Sequence, residues 1–282
     1  MNAFPTSARQ AFTAAYPETP VKLLHNLASE PLLTLPRLVE LAATLPESDV
    51  EYNPGTLPIG IDPKDIPSPK LSITDTIRSI EENGSWMVLK MIEQHPDYAT
   101  LLATTLAELE PIVVEKTGQM LTLQGFIFIS SPEAVTPFHF DPEHNILLQI
   151  RGSKTMTIFP AADETIVSPE AHERFHLGQQ HRNLEWRDDF SAKGTPFTLT
   201  PGEAVHVPVK SPHWVKNGPE VSISLSVTWR SAWSYEEADA RALNHMLRKI
   251  GLRPASPKRL PAHNRAKSVA FRALRKAGFT AR

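Results

Sequence analysis

The feature that most limits how this chain can fold is a series of short β-type runs between residues 120 and 230. They are 120–130, 136–140, 145–152, 154–160, 195–199, 203–208 and 221–229, separated by turn signals such as Arg151-Gly152-Ser153, Thr200-Pro201-Gly202 and Asn217-Gly218-Pro219. Many short strands broken by turn residues build a sandwich or a barrel, and this spacing suits a jelly roll. Helical periods flank the region. Residues 235–250 read as one helix and residues 264–278 as a second, ended by Gly278. The expected class is therefore mainly β with flanking helices, a jelly-roll core followed by C-terminal helices. The chain divides into 1–110, helical and strand elements packing on the core; 111–232, the core; and 233–282, a basic helical region.

The first part mixes signals. Residues 32–45 and 96–110 have helical period, 72–83 reads as a helix ended by Gly84, and 86–92 reads as a strand. Residues 54–69 hold five prolines and read as a loop. With 41% apolar residues in 282, a large core can be buried. No apolar run reaches about 18 residues, so no membrane span is expected. Residues 1–10 lack a signal pattern. The chain has no cysteine, which removes disulfides, iron–sulfur clusters and thiolate chemistry. A cytoplasmic protein is the expectation.

Charge is unevenly spread. Residues 241–282 carry 12 Lys/Arg and no Asp/Glu, leaving a balance of −14 on the rest of the chain. Such a tail reads as a solvated helix on an acidic body, as a dimerisation or substrate-docking element, or as a nucleic-acid contact.

The chemistry lies in two stretches. Thr136-Pro-Phe-His139-Phe-Asp141 sets an imidazole and a carboxylate two residues apart, where strand geometry turns both to one face. Pro208-Val-Lys-Ser-Pro-His213 supplies a second imidazole 74 residues later. Two histidines and one carboxylate form the facial triad that holds Fe(II) with open positions for cosubstrate and dioxygen. Taken alone, an HxD pair is short and is more often ordinary core or loop polarity.

The surrounding residues add weight. Thr136 to Asp141, Asn145, Gly152, Lys154 and Phe159-Pro160, with Pro201-Gly202 to Pro208 and His213, resemble the JmjC, cupin-like family over about residues 110–230. Within it they are most similar to the asparaginyl hydroxylase that inhibits hypoxia-inducible factor and to bacterial cupin-like relatives. The resemblance implies a double-stranded β-helix and an oxygenase using Fe(II) and, as cosubstrate, 2-oxoglutarate. It implies that His139, Asp141 and His213 ligate iron. Lys154, helped by Thr136, would pair with the distal carboxylate of 2-oxoglutarate, and Asn145 would lie near its chelating end. A dicarboxylate needs such a buried cation, whereas the plain reading of Lys154 is a solvated strand lysine. Two features depart from the family pattern. Ser211-Pro212 stands where an aromatic pair is common, and Ser222, Ser224, Ser226 and Thr228 offer small hydroxyls.

Other histidines compete. His172-Glu173-Arg-Phe-His176 is literally HExxH, with His181 as a third candidate for zinc. Leu177-Gly178 ends that helix too early, so a surface helix with chance histidines is expected. His206 rivals His213 but lies within a strand, and His144 is expected in a loop beside the site. The leading reading is a hydroxylase of a protein or peptide side chain, with a homodimer or a nucleic-acid contact through 241–282 as further partners. A metal-binding, non-enzymatic regulator and a small-molecule oxygenase are the alternatives.

Overall fold

Every β-type run expected between residues 120 and 230 is a strand, and one more, His213–Asn217, lies among them. The structure is a computed structural model and describes residues 2–55, 58–65 and 71–279; part of the proline-rich 54–69 loop therefore lies outside the described residues. In chain order the elements are α1 (Thr6–Ala15), β1 (Val21–Leu24), α2 (Leu35–Thr44), β2 (Val50–Pro54), α3 (Ile73–Arg78), β3 (Ser85–Lys90), α4 (Pro96–Ala107) and α5 (Glu110–Thr117). They continue with β4 (Met120–Ser130), β5 (Val135–His139), β6 (His144–Arg151), β7 (Lys154–Ile158), α6 (Pro169–Phe175), β8 (Thr195–Leu199) and β9 (Glu203–Val207). The last are β10 (His213–Asn217), β11 (Ser222–Ser231), α7 (Ala232–Lys249) and α8 (Arg265–Lys276).

Two antiparallel sheets face each other, as a jelly roll requires. The large one runs β1-β9-β6-β11-β4-β3-β2 and the small one β5-β10-β7-β8. Three strands from the first 110 residues thus extend the large sheet itself. Alternation explains the layering. On β11, Ile223, Leu225, Val227 and Trp229 point outward and are sealed by α1 to α5 through Phe12, Leu38, Ile77, Leu102 and Val113. Between the sheets, Leu147, Met156, Ile158, Leu199, Val205, Val207 and Val215 form a second apolar layer. Replacing Leu225, 1% exposed, by alanine is expected to cost about 3 kcal/mol in urea unfolding; a change below about 1 kcal/mol would contradict this packing.

Several boundaries differ from the expected ones for local reasons. The 72–83 helix stops at Arg78, because Ser131 Oγ takes the Ile80 carbonyl and Asn83 Nδ2 takes that of Thr76. The 86–92 strand ends at Lys90, where Met91 is left-handed and a 3₁₀ turn begins. Ile92 of that turn packs onto Gly125, where a Cβ would stand 2.7 Å from Ile92 Cγ1. The tight β6–β7 turn needs Gly152, whose φ is +64°.

The basic tail packs on the body. Phe271 of α8 is buried against Ala242 and Leu243 of α7. Arg259 pairs with Glu18, Arg265 with Glu236 and Arg272 with Asp239. Among the described residues, no helix is long and apolar enough to cross a membrane.

Candidate metal centre

His139 ends β5 and His213 opens β10, and the two residues are register partners across the small sheet. Asp141 follows β5 by two residues. The register slips between His213 and Val215, so that His213 faces His139 while Val215 faces Thr136. On β5 this slip spans Pro137 and Phe138, and a strand proline is tolerated at such an irregularity. It lets Thr136 and His139, three apart, both reach the space between the sheets.

The three side chains converge. Asp141 Oδ2 lies 3.8 Å from His139 Nε2 and 3.7 Å from His213 Nε2. All three ligand atoms fall within 4.8 Å of one another, the one such group among the described residues. Each ring is held from behind. His139 Nδ1–H donates to the Pro137 carbonyl at 2.7 Å and His213 Nδ1–H to that of Ser211 at 2.9 Å. Those bonds fix the tautomer and leave both Nε2 lone pairs facing Asp141. Burial, with the His213 and Arg182 charges, keeps His139 well below the usual imidazole range. Burial would raise Asp141, but His139, Arg182 and His213 hold it below its ordinary value. A neutral His139 imidazole and an ionised Asp141 carboxylate are the protonation states a divalent ion takes.

The triad opens into a cavity of about 320 Å³. Thr136, Asn145 and Lys154 line it, so all six sequence-chosen residues meet there. Lys154 is 4% exposed, which removes the solvated reading. Its Nζ donates to Ser224 Oγ at 2.8 Å, and no carboxylate pairs with it among the described residues. Burial pushes its pKa down to about 7. An ammonium held dry without a counter-ion is what an anionic ligand would complete. Asn145 Oδ1 accepts from Ser226 Oγ at 2.6 Å, which leaves Nδ2 as its donor.

Sequence reasoning missed two charged groups. Arg182, in the insert before β8, donates to Asp141 Oδ1 at 3.3 Å, and its carbonyl accepts from Phe140 N–H. Glu143, half-buried at the cavity wall, is pushed up to about 7 by burial and by Asp141. The HFDP-Glu spacing held a signal for Glu143. None marked Arg182, because its approach depends on residues 182–184 folding back along β5.

The rival histidines lie elsewhere. His206 faces α1, against Phe12 and Tyr16. His144 is not in a loop. It opens β6, fully buried and stacked on Trp229 at 5.3 Å, because its neighbours alternate into the helix-covered face. The HExxH helix is not on the surface either. His172 and Glu173 are buried beneath α7, where Glu173 takes Arg248 at 2.9 Å and His172 packs on Phe140.

Comparison with known proteins agrees with this architecture. A family model described as a cupin-like domain matches residues 74–235. Lysine-specific demethylase JMJ31 of Arabidopsis thaliana is 27% identical over 134 residues, covering 44% of this chain and 24% of the relative. Lysine-specific demethylase JMJ30 of the same plant is 30% identical over 111 residues, covering 38% and 24%. The X-ray structure of E. coli ycfD shares the fold with a TM-score of 0.54 at 18% identity, over 94% of this chain and 66% of that one. The match thus spans about a quarter of each plant relative. With more than half of its residues inside the family model, this chain belongs to the cupin-like domain family.

Proposed function

We propose that the chain is an Fe(II)- and 2-oxoglutarate-dependent hydroxylase of a protein or peptide side chain. One observation carries the reading: a His-Asp-His donor set and a buried ammonium without a carboxylate partner line the same cavity. Under this reading His139, Asp141 and His213 hold the metal. Bound there, Fe(II) supplies the redox chemistry by which dioxygen decarboxylates 2-oxoglutarate to succinate and hydroxylates a C–H bond.

The chain's own residues do the rest. Lys154 and the Thr136 hydroxyl take the distal carboxylate, and Asn145 Nδ2 donates toward the chelating end. Arg182 occupies Asp141 Oδ1, so Oδ2 is the oxygen turned to the histidines. Phe126, Phe128, Leu147, Met156 and Val215 keep water out of the cavity. Its charged and polar lining at Glu51, Lys90, Glu143, His181 and Arg182 suits a side chain presented by a peptide. Two relatives are named lysine-specific demethylases, which favours a protein substrate over a free small molecule. The reading takes 111–232 as the oxygenase core and a cytoplasmic setting. Nucleic-acid contact or subunit pairing through 241–282 is not needed by it, since Arg259, Arg265 and Arg272 already pair with acidic residues.

Anaerobic titration with Fe(II) and 2-oxoglutarate tests the proposal. A weak visible charge-transfer band is expected, absent from His139→Ala. Metal binding without that band in the parent protein would make the chain a metal-binding module and overturn the enzyme reading.

A further inference from the structure

The turn from Pro208 to His213 carries an oddity. Lys210 has φ +62°, in the left-handed region that a side chain with a Cβ disfavours. A glycine would hold that φ without strain, so the lysine is there for what its side chain reaches. That side chain is 1% exposed, and its Nζ meets Glu237 Oε2 of α7, itself 1% exposed. The other Glu237 oxygen takes Arg241 Nε, one helical turn further on. Strained backbone and a fully buried amine at one residue mark a position that its surroundings over-determine.

The main chain of the same turn touches the metal centre twice. Lys210 N–H donates to the Asp141 carbonyl at 2.8 Å. The next carbonyl, Ser211, accepts from His213 Nδ1–H at 2.9 Å. Pro212 then accepts Phe159 N–H at 2.8 Å, tying the turn to the end of β7. Two of the three ligands are therefore set by a six-residue turn whose buried lysine is fastened to α7.

We infer that Lys210 and Glu237 are positioning residues of the metal centre: their buried pair anchors the 208–213 turn to α7 and so fixes Asp141 and His213 for the ion. The inference rests on the reading of the triad as a metal site, and it makes α7 part of that site rather than an appendage.

Co(II) titration of the full chain tests it, reading dissociation constant and visible d–d spectrum together with the far-ultraviolet circular dichroism of the metal-free protein. Lys210→Gly relieves the strain and removes the anchor. It is expected to keep the parental circular dichroism, weaken Co(II) by about 10- to 100-fold and alter the band, as loss of an outer partner does at metal sites. Leu225→Ala, which loosens the core away from the centre, is expected to keep the parental spectrum. Parental affinity and spectrum in Lys210→Gly would overturn the inference. Should that variant fail to fold, Glu237→Gln, which keeps shape and the Arg241 contact, decides on the same readouts. If the parent itself takes up no Co(II), the metal reading fails and the inference with it. A parent that binds while its variants bind equally well defeats the inference alone.

Discussion

Asp141→Ala is expected to abolish 2-oxoglutarate turnover and to weaken Fe(II) or Co(II) binding by more than about 100-fold, beyond the range for outer partners. The reason is electrostatic as well as a matter of ligand number. Asp141 supplies the anionic oxygen between His139 and His213, and Arg182 leans on its other oxygen. Without the carboxylate, two neutral imidazoles and a guanidinium would face a dication, and the cation–cation repulsion in a partly dry cavity has nothing to offset it. Succinate formation and metal titration check this. Unchanged turnover would sink the assignment of Asp141 as a ligand.

Lys154→Met should separate cosubstrate from metal. A charge-assisted hydrogen bond contributes about 1.5–3 kcal/mol, and its loss strands a carboxylate in a dry pocket, so 2-oxoglutarate should bind about 100-fold more weakly or worse. Metal affinity should barely change, since Lys154 bonds to Ser224 rather than to the triad. The pH dependence carries a sign. Burial leaves the free Lys154 ammonium with a pKa near 7, and a bound carboxylate favours the charged form, so binding takes up a proton above that pH. Affinity should be level below pH 7 and fall about tenfold per unit above it, until the pKa of the complex is reached. Calorimetry from pH 6 to 9 reads both slope and proton uptake. A flat profile in the parent, or the same slope in Lys154→Met, would remove Lys154 from the cosubstrate site.

Much of this was legible because β-structure has a strict period. Alternation and turn residues located all seven expected strands, and the HxD spacing picked out His139 and Asp141, although Asp141 lies just past the end of β5 rather than on a strand. Lys154 and Asn145 were found by register with the family pattern, and both meet the cavity. What escaped depends on long-range folding. β10 is short and begins at a histidine behind a proline turn, so it has no apolar alternation to show. Arg182 reaches Asp141 only because its segment returns along β5. The burial of His172 and Glu173 follows from α7 lying over α6, which no local window contains. Nothing local in the sequence marks Lys210; its left-handed backbone and its partner on α7 belong to the fold.

Strand β11 holds a consequence for how such a protein can diversify. Its odd-numbered residues, Ile223 to Trp229, face the helices and carry stability. Its even-numbered residues serve the cavity side: Ser224 holds Lys154, while Ser226 and Thr228 line the wall. Parity therefore divides one strand into two independent alphabets. A change at 226 or 228 can narrow, widen or recharge the reaction chamber while the buried apolar layer behind it stays intact. Because positions 224, 226 and 228 hold only small hydroxyls, the chamber is near its widest along this wall, and larger side chains there would shift which substrates fit before they threatened the fold.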